Sequence, residues 1–317
     1  MLKTAVVGVL AIGFACGPEP STTKSENTTT AESSSSGGRV TLIGTPLREP
    51  DFPPEVRARL EKDLVIAQAV MEVAPEREDS YIWLGRRLGY LARFPEAIDV
   101  FSQGLERFPG SYKLLRFRGR HRARNREFNA AIADYRRAAE LVEDEVDSFE
   151  PDGILNERHQ YLGTYKSNIH YYLGQTSFAV GDYQAVLDGM VRAMNEPLGQ
   201  SPDRLVSTAF WRHLAHRKLG QDAAAQAVVD SVPDDLELLE NHTYYASVLF
   251  FKGRKSREEL ASDADNLIRF AFAMDHLFRG ESEQARGILT NVVESSAQGF
   301  WPAEVELLAL GQEQRPP

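Results

Sequence analysis

The amino-acid sequence predicts an all-α fold in which pairs of helices stack side by side into a solenoid. The main observation is a repeat of 34 residues in the first half of the chain. Within it, small residues recur as Gly85 and Gly119, and aromatic residues recur as Phe101 and Tyr135. A period of this length is typical of stacked helix–turn–helix units. Because such stacks present extended concave surfaces, we expect a binding function.

Composition narrows the class of protein further. The chain has 317 residues, 42% of them hydrophobic, and a formal net charge of −10. The hydrophobic content excludes a wholly disordered protein. Proteins that bind nucleic acid are usually basic, so the acidity argues against a nucleic-acid partner.

The N-terminus has the composition of an export signal. Lys3 is followed by an apolar run from Ala5 to Ala15, which is too short to span a bilayer as a helix. A positive residue followed by an apolar run of this length is typical of a secretory signal peptide. We therefore predict a signal peptide over residues 1–15.

Cys16, the single cysteine of the sequence, directly follows this run. The arrangement resembles a bacterial lipoprotein signal, in which the cysteine after a small residue is lipidated and becomes the new N-terminus. Ala15 fits that pattern, whereas Gly13 and Phe14 differ from the residues usual before it. The resemblance implies an anchor at Cys16 in the bacterial cell envelope, on the periplasmic face of the outer membrane.

Two non-repetitive segments are predicted between the anchor and the repeats. Residues 16–38 combine the lipidated cysteine with a Ser/Thr-rich sequence, which is expected to be a disordered tether about 25 Å long. Residues 39–75 are expected to form an extended segment, strand-like from Val40 to Ile43, and then an N-terminal capping helix. The helix is predicted to begin near Pro54, after which apolar residues recur every three or four positions.

The regular repeats are predicted over residues 76–145. Repeat one contains an aromatic residue, a Leu-Gly step, an Ala four residues before an aromatic residue, and a closing Pro, here Tyr81, Leu84, Gly85, Ala97, Phe101 and Pro109. These residues resemble the tetratricopeptide repeat (TPR) family. The resemblance implies a right-handed α-solenoid with capping helices, whose first helices line the concave surface.

The period is interrupted and then continues in weaker form. Residues 146–166 form an insertion, which either contacts ligands or separates two parts of the stack. Residues 167–312 are predicted to contain degenerate repeats three to five and a C-terminal capping helix. Their main regular feature is a turn glycine, which recurs as Gly181, Gly220, Gly253 and Gly280.

The strongest local charge pattern is basic. Residues 82–137 contain thirteen Arg or Lys against five Asp or Glu, and arginine alternates from Arg116 to Arg126. Spacings of three and four place Lys113, Arg116, Arg120 and Arg124 on one helix face. By the family resemblance, this face is part of the concave surface.

We therefore predict a partner-binding wall for acidic peptides or chain termini. Arginine suits this role because its planar guanidinium matches a carboxylate. The predicted contact residues are Arg86, Tyr90, Lys113, Arg116, Arg120, Arg124, Tyr171 and Gln175. The alternative is a solvated face partly neutralised by the acidic residues between Glu140 and Asp152.

No catalytic or metal-binding motif accompanies these repeats. His213 and His216 are three residues apart on one predicted helix, but the sequence offers no third ligand at a matching spacing. They are expected to be ordinary surface histidines. Phosphate-binding loops and nucleophile elbows are not found. We predict a non-enzymatic protein without cofactor or metal.

Two functions remain open at the level of sequence. The first is a scaffold that presents a concave groove to envelope proteins or acidic peptide segments, with a possible homodimer. The second is a structural or assembly factor of the outer membrane. Signal, tether and interrupted repeats are together similar to the organisation of NlpI-type outer-membrane lipoproteins, which act as scaffolds for envelope enzymes.

Overall fold

A computed structural model describes residues 39–153 and 156–313. The predicted signal peptide, Cys16 and the tether lie outside the described residues. The described chain contains fourteen α-helices and no β-strand, which confirms the all-α fold class. None of these helices has the length and apolarity needed to cross a membrane.

The described helices are arranged in consecutive pairs. A capping helix is followed by six pairs of helices and a final helix. The bounds are α1 Pro54–Val73, α2 Glu78–Tyr90, α3 Phe94–Arg107, α4 Tyr112–Arg124, α5 Phe128–Val142, α6 Tyr165–Phe178, α7 Tyr183–Asn195, α8 Pro202–Lys218, α9 Asp222–Asp230, α10 His242–Phe251, α11 Arg257–Leu260, α12 Asn266–Phe278, α13 Ser282–Ser295 and α14 Trp301–Glu313. The first helices of successive pairs also contact one another, as α2 does with α4 and α4 with α6.

The recurrent glycines allow the two helices of a pair to approach closely. A Cβ atom added to Gly85 would collide with the Phe101 ring, and one added to Gly119 would lie 3.0 Å from the Tyr135 ring. Both aromatic side chains are fully buried. Glycine within a helix costs roughly 1 kcal/mol relative to alanine, so close packing explains its recurrence at this position.

The turn between the two helices of each pair has the same backbone conformation in all six pairs. One residue has positive φ in every turn. These residues are Ala92, Arg126, Gly181, Gly220, Gly253 and Gly280. Glycine adopts this conformation without steric cost, whereas alanine and arginine are strained in it. The first two repeats therefore share the turn geometry of the later ones without the glycine.

The N-terminal segment joins the two ends of the stack. The predicted strand from Val40 to Ile43 is wrong, because these residues enter a turn closed by a hydrogen bond from the Thr41 amide to the Thr45 carbonyl. The Arg48 amide donates to the Ala297 carbonyl at 2.7 Å. Arg39 Nη2 donates to the Ala92 carbonyl at 3.1 Å. One short segment thus contacts both the first repeat and the C-terminal region.

Helix α14 packs across several repeats as well as on α13. Trp301 stacks on Trp211 of α8, with ring centroids 6.2 Å apart, and contacts Phe128 of α5 at 5.5 Å. Glu304 forms a buried ion pair with Arg126, whose Nη2 lies 2.5 Å from its Oε1. The C-terminal helix is therefore part of the main hydrophobic core.

The insertion between α5 and α6 is closed at its base by two backbone hydrogen bonds. The Glu150 amide donates to the Gly163 carbonyl at 2.9 Å, and the Tyr165 amide donates to the Ser148 carbonyl at 3.0 Å. This isolated antiparallel bridge fixes the position of Phe149 relative to Thr164. The following residues are directed toward α2 and α4, where the basic residues lie.

Candidate functional site

The predicted basic face lies on the first helices of repeats one and two. We call its five residues, Arg86, Lys113, Arg116, Arg120 and Arg124, the arginine wall. Arg86 lies on α2 and the other four on α4. Because α2 and α4 contact each other, the structure brings these five cationic residues onto adjacent helices of the stack.

The alternating arginines from Arg116 to Arg126 make three different kinds of contact. Arg118 and Arg122 both bind the buried carboxylate of Asp134 on α5, at 2.7 and 2.8 Å. Arg126 lies in the turn and binds Glu304. The remaining arginines, Arg116, Arg120 and Arg124, belong to the arginine wall. Arginines at alternate positions thus contact different partners on different sides of the helix and in the turn that follows it.

The insertion occupies part of the arginine wall. Arg86 Nη1 donates to the Pro151 carbonyl at 2.6 Å, and Arg87 Nη1 donates to the Gly153 carbonyl at 3.2 Å. Arg86 also donates to the Tyr90 hydroxyl at 3.0 Å. Two main-chain carbonyls of the insertion are therefore held by two adjacent arginines of α2.

A buried ion pair fixes the centre of this contact. Arg116 Nε lies 2.7 Å from Glu150 Oε2, and the Arg116 side chain is only 1% exposed. Asn168 of α6 donates to the same carboxylate oxygen at 3.1 Å. Burial acts to lower the pKa of Arg116, but Glu150 and nearby phenol groups raise it above its ordinary value. Arg116 is therefore charged, and in this conformation its partner is the insertion.

Asp152 lies beside the same cationic groups without forming a close ion pair. Its pKa is raised to about 7, first by burial and then by the carboxylates of Glu150 and Glu240. Arg86 and Arg120 act in the opposite direction. The two acidic residues of the segment thus differ, because Glu150 contacts an arginine directly whereas Asp152 is disfavoured as a carboxylate.

The other members of the wall are partly exposed. The Arg120 guanidinium lies 5.1 Å from the centre of the Tyr172 ring, and Arg124 lies 5.9 Å from that of Phe94. Lys113 is at the N-terminal edge of α4, 3.9 Å from Glu78. Lys113, Arg120 and Arg124 are thus the half-buried members of the arginine wall, whereas Arg86 and Arg116 are buried.

Tyr171 lies in the core. It is buried, and its hydroxyl donates to Tyr244 at 3.2 Å while it accepts a hydrogen bond from Trp211. The neighbouring Tyr172 instead faces the wall, with Arg116 4.5 Å and Arg120 5.1 Å from its ring centre. Helix periodicity did not distinguish two consecutive tyrosines, of which the second contacts the predicted surface.

Buried donors accumulate next to the wall. Gln175 is also buried, and its Nε2 atom has no hydrogen-bond partner among the described residues. The same holds for Arg116 Nη1 and for the hydroxyl of Tyr135, whose ring stacks on Tyr172. Buried polar groups without partners cost free energy, so this region favours acceptor groups.

The two noted histidines lie outside this site. His213 is buried and stacks on Phe251 with ring centres 4.3 Å apart, so the expectation that it is a surface residue is wrong. His216 Nδ1 lies 2.7 Å from the Gln221 side-chain oxygen. Among residues 39–153 and 156–313, no three potential ligands come together as a metal site.

Comparison with known proteins identifies the fold. No known family profile matches the chain, and no curated protein matches it. A TPR protein from Parabacteroides merdae is similar in structure, with 14% sequence identity and a TM-score of 0.50, over 81% of this chain and 94% of that one. YrrB, described as a TPR protein with an unusual peptide-binding site, matches with 12% identity and a TM-score of 0.41, over 76% and 97% of the two chains.

The fold is a TPR-type α-solenoid. The similarity confirms the predicted fold class, an all-α solenoid of the TPR type. At these levels of identity it carries no binding residue from one protein to the other. The partner-binding role of the arginine wall therefore stays a prediction from the residues of this chain.

The sequence did not predict where residues 149–153 of the insertion bind. The acidic run near Glu140 to Asp152 indicated neutralising groups, and Glu150 is one of them. The docking of the Pro151 and Gly153 carbonyls had no sequence signal, because main-chain acceptors are present at every residue. A Pro-Asp-Gly sequence indicates a turn, which is compatible with many positions on the surface.

Proposed function

We propose that this protein is a scaffold that binds protein or peptide partners in the bacterial cell envelope. The observation that carries the proposal is the arginine wall on the first helices of a TPR-type solenoid. Stacked helical repeats present long continuous surfaces, and guanidinium groups bind carboxylates with defined geometry. Partners with acidic segments are therefore the class that this surface suits best.

The predicted N-terminal features give the proposal its location. An export signal followed by Cys16 and a Ser/Thr-rich tether would attach the solenoid to a membrane while leaving it free to meet soluble partners. The outer membrane and its periplasmic face, and the resemblance to NlpI-type organisation, belong to this proposal. The proposal assigns no catalytic residue.

Charge reversal tests the binding role. Crosslinking in cells, followed by identification of bound proteins, is compared between the unmodified chain and Arg120→Glu/Arg124→Glu. The control reverses Arg107 and Arg136, two exposed arginines on the second helices α3 and α5. We expect the wall variant to lose partners that the control retains. Equal recovery of the same partners by both variants would refute the role of the arginine wall.

Substitution of the cysteine tests the anchor independently. Cys16→Ser is expected to abolish incorporation of a labelled fatty acid and to release the protein from the membrane fraction. A Cys16→Ser variant that stays in the membrane fraction would refute lipid anchoring. The binding experiment above would keep its meaning in that case, because the arginine wall lies within the folded solenoid.

A further inference from the structure

The insertion contacts the arginine wall in the manner of a bound peptide. Residues 149–153 run along α2 and α4, and their main-chain carbonyls accept hydrogen bonds from Arg86 and Arg87. The Glu150 carboxylate enters the buried position at Arg116. Side-chain recognition of one acidic group, combined with recognition of the main chain, is how a protein typically holds an extended peptide segment.

We propose that residues 149–153 are an internal ligand, and that an extended acidic segment of a partner binds the arginine wall by replacing them. This inference rests on the proposed scaffold function and gives it a partner chemistry. The replacing segment presents a carboxylate to Arg116 in the place of Glu150. Its main-chain carbonyls accept hydrogen bonds from Arg86 and Arg87.

The chemistry of the contact favours exchange over permanent burial. The described attachment of residues 150–153 consists mainly of hydrogen bonds and an ion pair, which a competing peptide can reproduce. Asp152 adds a partly buried carboxyl whose ionisation opposes docking. The buried atom Arg116 Nη1 has no hydrogen-bond partner among the described residues and is a further donor at the position of Glu150.

Competition from an internal ligand has a measurable consequence. If the segment occupies the wall in nine of ten molecules, the apparent affinity for a partner falls about tenfold. Variants that weaken the internal contact should therefore bind an external acidic peptide more tightly. A steric variant and a charge variant test this prediction without altering any residue of the arginine wall.

Gly153 provides the steric variant. A Cβ atom at this residue would collide with the Tyr90 hydroxyl, which Arg86 holds in place. Gly153→Val is therefore expected to displace the segment. Gly110→Val is the matched control, because no atom lies within 4 Å of a Cβ added to Gly110. For charge, Glu150→Gln removes the partner of Arg116, and Glu157→Gln alters an exposed residue of the same insertion.

The probe is a capped peptide with the sequence of residues 148–153, labelled for fluorescence anisotropy and added to the purified full chain. We expect Gly153→Val and Glu150→Gln to bind it about fivefold more tightly than the unmodified chain, because more molecules have an accessible wall. The two controls should bind as the unmodified chain does. A peptide with Gln and Asn in place of Glu and Asp should bind at least about tenfold more weakly, since it lacks the carboxylate.

Hydrogen exchange of the unmodified chain provides a second measurement, which does not depend on the folding of a variant. Bound peptide should accelerate exchange of the Glu150 amide, whose acceptor is the Gly163 carbonyl. No peptide binding to any variant, equal binding by all of them, or binding that leaves this exchange unchanged would overturn the inference. Partners captured in cells through Arg120 and Arg124 would still support the scaffold function in that case.

Discussion

Two segments outside the regular helical pairs contact repeat two, and they are held by different chemistry. Residues 149–153 contact the arginine wall through carbonyl groups and Glu150. Helix α14 contacts the core through Trp301, and an ion pair between Glu304 and Arg126 is added to that apolar contact. Burial of a large aromatic side chain contributes far more to stability than a single exchangeable hydrogen bond.

The comparison separates a permanent part of the fold from a replaceable one. Each segment brings one carboxylate to one arginine, and both ion pairs are buried. The C-terminal helix also buries aromatic surface against α5 and α8, whereas Phe149, the large apolar side chain of residues 149–153, is 45% exposed. We infer that the apolar contact, more than the ion pair, decides whether a segment can leave its site.

The largest effect is expected from Trp301→Ala. Loss of this buried ring and its stacking on Trp211 should lower the free energy of unfolding by about 3–5 kcal/mol. Urea denaturation followed by circular dichroism measures the change. Leu308→Ala, at a more exposed residue of the same helix, is the control and should cost less than about 1 kcal/mol. Similar values for both variants would contradict the central role of α14.

Substitution of the buried carboxylates of Glu304 and Glu150 allows a direct comparison of α14 with residues 149–153. Glu304→Gln should cost about 3 kcal/mol, because it leaves Arg126 buried without its partner in a helix that cannot leave. Glu150→Gln should cost no more than about 1.5 kcal/mol, because the insertion can move away and expose Arg116 to water. Denaturation of both variants under identical conditions gives the difference. Equal losses would show that the insertion is as fixed as α14.

The pKa of Asp152 depends on whether residues 149–153 are docked on the arginine wall. Its pKa is about 7 in the docked segment, against about 3.9 for an exposed aspartate. The docked state therefore binds more protons between these values, so docking weakens as pH rises from about 4 to about 7 and is level above that. Asp152→Asn should remove this dependence and hold the segment more firmly at neutral pH.

Carbon-detected NMR of the Asp152 carboxyl group measures this pKa. It should fall toward the exposed value in Gly153→Val, where the segment is expected to leave the wall. It should fall by a smaller amount in Glu240→Gln, because burial is the larger cause of the shift and Glu240 a lesser one. An unchanged pKa in Gly153→Val would mean that the segment remains docked despite the added side chain.

The smallest effect concerns the strained turns of repeats one and two. Ala92 has a φ of 58°, so Ala92→Gly should relieve strain and stabilise the protein by about 0.5 kcal/mol after the entropy of glycine is subtracted. The reverse change at the equivalent turn, Gly181→Ala, should destabilise by about 1 kcal/mol. Thermal denaturation measures both. Changes of the same sign would contradict the equivalence of these turns.

The turns also show which backbone conformations can be predicted from the sequence and which cannot. The recurrence of Gly181, Gly220, Gly253 and Gly280 indicated the later repeats. Ala92 and Arg126 have the same backbone conformation but carry no such signal. Arg126 remains in a strained position where its side chain reaches Glu304, a residue distant in sequence. A local sequence pattern cannot reveal a contact between residues this far apart in the chain.

The candidate site also has features that the sequence predicted and features that it did not. Spacings of three and four placed Arg116, Arg120 and Arg124 on one helix face, and the structure agrees. These spacings did not distinguish Tyr171, which lies in the core, from Tyr172, which faces the arginine wall. The angular difference between consecutive residues is fixed by the helix, but which side is buried depends on the neighbouring helices.

The sequence by itself determined the helical pairs, their repeat and the row of basic residues, because these depend on spacing along one helix or between adjacent helices. The tertiary structure alone decided how the arginines are used. Arg116 faces Glu150 of the insertion, and Arg126 faces Glu304 of the last helix. Both pairs join segments that meet only when the chain has folded. The side chain of a residue limits the kinds of contact that it can form, and the folded structure determines which of those contacts are formed.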